Sequence, residues 1–236
     1  MKGNDLRRAC SRLFILAVDI DATLIQRSTE CNRHADNIFY RTADIQSDRC
    51  RQEVVGEFLH KYNAEKFAVV FVSSVTMWIH MNYGDDGLCN FLRYISSIAE
   101  YVLIEPQDWK CYRAAVRRMK RLGCQSFQHF STLEWRDDVN QQILQYLQSA
   151  ACCLKLVRHL GQTESWSRSL YLFTSLSVWR TGTLLNDIIL RMSSSFILLV
   201  TIVYVILKLC NYIMQGFKAV TRIFSGRGVS RWARAP

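Results

Sequence analysis

The chain has 236 residues, enough for one α/β domain with a good core plus an appendage. Its formal net charge of +10 points to anionic partners, RNA or an acidic membrane face, although a merely basic soluble protein would show the same balance. The nine cysteines form no C-x-x-C ladder and the five histidines no finger or H-E-x-x-H spacing, which argues for reduced thiols and against a zinc site.

No apolar stretch that would serve as a signal peptide precedes Leu13. The run Leu13-Phe-Ile-Leu-Ala-Val-Asp-Ile-Asp21 is apolar and then broken by two carboxylates. That is the pattern of a buried parallel strand delivering acids to its C-terminal edge. Ligands of open α/β sheets sit just beyond that edge, and a carboxylate there can accept hydrogen bonds from both hydroxyls of a ribose. A core strand followed by a solvated turn would read the same way. Residues 22–37 are predicted as a crossover helix, with Asp21 as its N-cap. Ile38–Ile45 is predicted as a second strand, carrying Asp44 near its end. A helix over 52–62 then leads to Phe67–Val75, the most hydrophobic run of the soluble part and a candidate central strand.

Gly84-Asp-Asp-Gly87 is predicted to be a turn that opens a helix over 88–99, where Leu88, Phe91, Leu92, Ile95 and Ile98 recur at helical spacing. A strand over 101–106 follows, then a basic helix over 109–122 closed by Gly123. Residues 127–130 are predicted as a short strand, 139–147 as a helix and 170–173 as the last strand. Strands and helices alternating at this pace predict a parallel, doubly wound sheet. Beyond Phe173 the composition changes. Residues 174–193 form a linker, 194–214 are apolar and long enough for a transmembrane helix, and 215–236 are a basic tail. The cations after Met214 would place the tail's C-terminus on the cytosolic side, in conflict with a simple tail anchor.

Several segments carry a more specific signal: Val18-Asp-Ile-Asp21, Ser74-Val-Thr-Met-Trp-Ile-His80, Gly84-Asp85-x-Gly87-Leu88, Leu103-Ile-Glu-Pro-Gln107-x-Trp109-Lys-x-Tyr112, His129-Phe-Ser-Thr-Leu133 and Trp166-x-Arg168-x-Leu-Tyr-Leu-Phe173. Together they resemble the bicoid-interacting-protein-type RNA 5′-phosphate methyltransferases, and within them those acting on 5′-monophosphates of small RNAs. The resemblance covers residues 6–173. It implies a class I S-adenosylmethionine-dependent methyltransferase domain over 1–173, transfer of methyl to a 5′-terminal RNA phosphate, a cytoplasmic monomer and no metal. The family's first strand and most of its glycine-rich turn have no counterpart upstream of Leu13. The domain is therefore expected to be truncated at its N-terminus, to leave a strand edge open and to hold the cofactor weakly.

Carried over residue by residue, the resemblance puts Asp19 and Ile20 at the cofactor ribose and Ala43, Asp44 and Ile45 at the adenine. It puts Ser73, Ser74 and Val75 where the methionine moiety meets the target phosphate. His80, Lys110 and Tyr112 are the expected catalytic donors, and Arg113, Arg117, Arg118 and Trp109 the expected RNA contacts. An ordinary packed histidine, a solvated helix face and core tryptophans account for several of these nearly as well. Two further readings remain open: an RNA-binding remnant without catalysis, and a membrane-anchored scaffold built around the tail.

Overall fold

The computed structural model describes residues 13–163 and 166–180, together with the backbone of Ile197–Val203. Among these residues the chain is a mixed α/β fold around one seven-stranded sheet of order β2-β1-β7-β3-β4-β6-β5. The strands are β1 (Leu13–Asp19), β2 (Ile38–Thr42), β3 (Phe67–Ser73), β4 (Ala99–Glu105), β5 (Leu154–Gln162), β6 (Ser169–Ser175) and β7 (Ile197–Val203). Between them lie α1 (Ala22–Glu30), α2 (Asp48–Cys50), a π-helical segment Arg51–Gly56, and α3 (Glu57–Lys61). The remaining helices are α4 (Thr76–Ser97), α5 (Trp109–Arg121), α6 (Val139–Gln148) and α7 (Leu176–Arg180).

β3 and β4 are apolar on both faces because both faces are covered. Val70, Val72, Val102 and Ile104 join the main core with Phe91, Leu92 and Ile95 of α4. Tyr101 and Leu103 alternate to the opposite face, against Val69, Phe71, Leu172 and Val178. Each large side chain removed from water in this way contributes roughly 1.5–3 kcal/mol. The first helix is shorter than predicted but starts where expected. Asp21 accepts from the amides of Thr23 (2.8 Å) and Leu24 (3.2 Å), two donors that a helix start leaves unpaired.

Four expectations are corrected. The sheet is not wholly parallel: β6 runs antiparallel to β4 and to β5. The connection from β5 to β6 is too short for a crossover helix, which parallel strands would need. β5 itself was not foreseen, because it is a half-exposed edge strand with bulges and so lacks a clean alternation. Residues 127–130 are a turn instead of a strand. Phe127 packs edge-on to Trp78 and Phe130 stacks on Trp109 (5.2 Å between centroids), so the two aromatics pin a loop to α4 and α5.

The fourth correction concerns the C-terminal apolar run. Over Ile197–Val203 it is a strand, not part of a helix spanning 194–214. No helix among the described residues is long and apolar enough to cross a membrane. A short run rich in β-branched residues suits a fully buried parallel strand as well as it suits a helix. β7 lies between β1 and β3 and pairs with both in parallel, Leu16 and Val70 each standing opposite Val200. The strand edge expected to be open is therefore occupied. Of the expected linker 174–193, residues 174–180 complete β6 and form α7, while residues 181–196 and 204–236 lie outside the described residues.

Candidate functional site

The chain turns outward in opposite directions from β1 and β3, with β7 between them, so the carboxyl edges of these strands bound a crevice. A cavity of about 440 Å³ opens there. Its floor comes from the expected residues Asp19 and Ile20 after β1, Ala43, Asp44 and Ile45 after β2, and Val75 after β3. Trp78, Ile79, Asn82 and Tyr83 on the first turns of α4 close it from above, with Val18 and Gln46 completing the lining.

Two carboxylates define its polarity. Asp19 is buried, and its Oδ1 accepts the Asp21 amide at 2.8 Å, which holds the group at the strand end instead of letting it turn to solvent. Asp44 Oδ1 accepts the Gln46 amide at 2.9 Å, and its Oδ2 accepts the Tyr83 hydroxyl at 3.0 Å. That second bond ties the β2 edge to α4 across the cavity mouth. Tyr83 and Asn82 are functional candidates that sequence reasoning missed. They lie between the His80 and Gly84 motif positions, one helical turn beyond Trp78 and Ile79, and that spacing was the available signal.

Ser73 and Ser74 were expected at the cofactor with Val75, but they do not line the cavity. Both hydroxyls donate to Glu105 Oε2, at 3.0 and 2.8 Å. Glu105 is almost wholly buried at the end of β4. It bears the same signal as Asp19, an acid ending an apolar strand, and was overlooked. Two residues on, Gln107 accepts from Thr76 Oγ1 (2.8 Å) and from the Met77 amide (3.1 Å), so the Glu-Pro-Gln segment fixes the start of α4.

The expected catalytic donors separate. His80 and Tyr112 are fully buried and face each other, His80 Nδ1 lying 3.1 Å from Tyr112 Oη. His80 Nε2 lies 2.9 Å from Asp85 Oδ1. Burial pushes the His80 imidazole below its ordinary range, and the Asp85 bond and charge pull it only part of the way back. The Asp85 carboxyl is pushed up by burial, but the Glu134 amide, His80 and the Trp135 amide outweigh that and hold it low. Burial raises the Tyr112 phenol strongly. Neither His80 nor Tyr112 reaches the cavity in this arrangement. Lys110 is exposed and pairs with Asp108 at 2.8 Å.

Arg113, Arg117 and Arg118 are exposed on α5, together with Lys120 and Arg121. Trp109 is half-buried between Tyr112 and Phe130, and so packs as core as much as it offers a ring. Among the described residues no group of histidine, cysteine and carboxylate side chains could hold a metal ion.

Residues 67–175, from the first residue of β3 to the last of β6, match the family model described as Bicoid-interacting protein 3 (Bin3). This stretch of the chain is similar to the Bin3 family. Its Glu105, Gln107, His80 and Asp85 all fall inside the matched span, while Asp19 and Asp44 lie before it. Rat RNA 5′-monophosphate methyltransferase is 43% identical over 166 residues, 68% of this chain and 56% of the relative. The Xenopus laevis pre-miRNA 5′-monophosphate methyltransferase is 45% identical over 158 residues, covering 67% and 61%. The human RNA 5′-monophosphate methyltransferase is 40% identical over 171 residues, covering 72% and 58%. The chain thus spans about three fifths of the length of these relatives.

Proposed function

We propose that this chain is a class I methyltransferase that binds S-adenosylmethionine in the β1–β2–β3 cavity and methylates the 5′-terminal phosphate of small RNA. The observation that carries the reading is the position of the cavity: it lies at the carboxyl edge of a parallel sheet, at the reversal of strand order, with a carboxylate on each side. The names of the relatives supply the reaction.

The fit is good at the nucleoside end. A cavity of about 440 Å³ lies within the ~300–1,000 Å³ usual for small-molecule sites. Asp19 offers a carboxylate for a ribose diol, while Ala43, Ile45 and Ile79 offer apolar walls for a flat base. Asp44 can accept from an exocyclic amine through the oxygens that it shares with Tyr83 and Gln46. The bound cofactor would supply a methyl group on a sulfonium, an electrophile that needs no activation by the protein.

The chain's own residues then have three tasks. Asp19 and Asp44 hold the nucleoside. Trp78 and Tyr83 offer aromatic surface on the α4 side of the cavity. The residues around Ser74 and Val75 line up the two reactants, and in-line positioning is where most of the acceleration of such a transfer arises. A phosphate oxygen is already anionic at neutral pH, so no general base is required. The full burial of His80 and Tyr112 is compatible with that.

The test is equilibrium dialysis against S-adenosylhomocysteine, paired with transfer of radiolabelled methyl to one RNA carrying either a 5′-phosphate or a 5′-hydroxyl. Binding with transfer to the phosphorylated form alone is expected. Binding without transfer to either form would favour the non-catalytic reading.

A further inference from the structure

A second cluster of charged groups stands at the same sheet edge, next to the cavity but outside its lining. The Glu105 side chain is 2% exposed. Besides the two serine hydroxyls at Oε2, its Oε1 accepts from Thr163 Oγ1 at 3.1 Å. Arg168 comes in from the start of β6: its Nη1 donates to Ser74 Oγ and lies 4.0 Å from Glu105 Oε2. Its backbone is held too, since the Arg168 amide donates to Thr163 Oγ1 (3.2 Å) and its carbonyl accepts the Thr163 amide (2.8 Å). The Trp166 ring centroid lies 5.2 Å from the guanidinium carbon.

This is more anchoring than the carboxylate requires. Three hydroxyls already bond Glu105, yet a guanidinium is fixed beside it with only Nη1 used among the described residues. The Arg168 side chain retains 15% of its exposure, so its unused donors are not sealed off. Ser74, which receives Nη1, has a φ of 57°, a conformation that residues with a Cβ adopt at a cost and that recurs where function constrains the backbone. The next residue, Val75, lines the cavity. The guanidinium therefore bonds the residue next to one that lines the cavity.

We propose that Arg168 receives the 5′-terminal phosphate of the RNA, and that Glu105 is a positioning residue that holds the guanidinium and tempers its charge. The inference rests on the methyltransferase reading above. In the transfer, a phosphate oxygen forms a bond to the methyl carbon while the carbon–sulfur bond breaks and its electron pair stays on sulfur. The phosphate loses one negative charge, the sulfonium loses its positive charge, and no proton moves. A bare cation would thus bind the starting phosphate better than the transition state and slow the step. An arginine paired with a buried carboxylate keeps the directional fork that phosphate recognition uses, with less net charge.

The test measures binding of one RNA oligonucleotide with a 5′-phosphate or a 5′-hydroxyl by fluorescence anisotropy, using the full 236-residue chain, and steady-state transfer by the same proteins. Arg168→Gln should lose on the order of tenfold or more of the preference for the phosphorylated RNA while binding S-adenosylhomocysteine as the parent does. Arg168→Lys, which keeps the charge and loses the fork, should recover part of that preference. Glu105→Gln should bind phosphorylated RNA more tightly and turn over more slowly, lowering KM and kcat together, a split that a purely structural role would not produce. A parent that transfers methyl while Arg168→Gln keeps its full phosphate preference would overturn the inference and leave the methyltransferase reading intact. A parent that neither prefers the phosphate nor transfers methyl would remove both. If Arg168→Gln does not fold, Arg168→Lys decides: full preference with unchanged kcat would reject the role of the fork.

Discussion

His80 Nε2 lies 2.9 Å from Asp85 Oδ1, across the break in α4 at Gly84, where φ is 72°. The pair belongs to a longer chain of hydrogen bonds. Tyr112 Oη lies 3.1 Å from His80 Nδ1, and Asp85 in turn accepts the amides of Glu134 (2.9 Å) and Trp135 (3.0 Å). One neutral tautomer satisfies both ring nitrogens, with Nε2–H donating to the carboxylate and Nδ1 accepting from the phenol. The break admits only a residue at ease in the left-handed region, and a Cβ on Gly84 would meet His129 Nδ1 at 3.3 Å. Three segments, α4, α5 and the 127–136 loop, are thus locked around one imidazole.

That lock predicts an acid-sensitive fold. Burial lowers the folded-state pKa of His80 below that of the unfolded chain, near 6.5. The unfolded state then takes up the proton first as pH falls. Stability is complete above about pH 6.5 and declines as pH drops from there toward the folded-state pKa. Asp85, also held low when folded, adds a loss only in the carboxylate range. The melting temperature should therefore fall between pH 7 and 5 more steeply for the parent than for His80→Gln, which cannot titrate. Equal slopes would show that His80 is not the titrating group.

The Asp19 carboxylate predicts a selective loss of ligand. Asp19→Asn keeps the volume and an acceptor oxygen but removes the charge, and the bond from the Asp21 amide can persist. A charged hydrogen bond to a ribose hydroxyl contributes about 1.5–3 kcal/mol. S-adenosylhomocysteine should accordingly bind about ten- to a hundredfold more weakly, with the melting temperature of the free protein little changed. Calorimetric titration showing parental affinity would move the ribose elsewhere.

Gln107 predicts a loss of stability without a change of charge. It is buried and is the acceptor for Thr76 Oγ1 and the Met77 amide. Gln107→Leu preserves bulk but leaves a hydroxyl and an amide unpaired at the entry to α4. Each buried group without its partner costs about 1–3 kcal/mol, so a destabilisation of about 2–6 kcal/mol is expected in urea unfolding. A change below about 1 kcal/mol would show that water or a shifted loop takes over both bonds.

These cases also show how far the sequence alone reaches. Asp19 was legible because a buried parallel strand ends abruptly in an acid, and a strand end is where such sheets meet ligands; Asp44 was legible more weakly, two residues past the half-exposed edge strand β2. Their partners were not: Tyr83 reaches Asp44 over 39 residues, and Arg168 reaches Ser74 over 94. Contacts of that range depend on how elements stack, which no local period encodes. His80 was expected at the substrate from its place after a strand end. Whether a side chain on a helix faces a cavity or a core depends on the kink at Gly84 and on Tyr112, 32 residues on. β5 escaped notice because an edge strand needs little apolar alternation.

The apolar run after the linker was the most ambiguous stretch, since its residues satisfy both a membrane helix and a buried parallel strand. The structure places Ile197–Val203 between β1 and β3, and a run inside the sheet responds to proline differently from one outside it. In a central strand, Val200→Pro removes an amide from the ladder shared with β1 and β3, where Leu16 and Val70 are the register partners and both are buried. The cost should be about 3 kcal/mol or more, enough to lower the melting temperature of a domain of this size by several degrees. Val200→Leu alters neither the backbone donor nor the apolar character and should leave it nearly unchanged. A run lying outside the sheet would be indifferent to both. A thermal melt of Val200→Pro that superimposes on the parent would remove β7 from the fold and reopen the edges of β1 and β3.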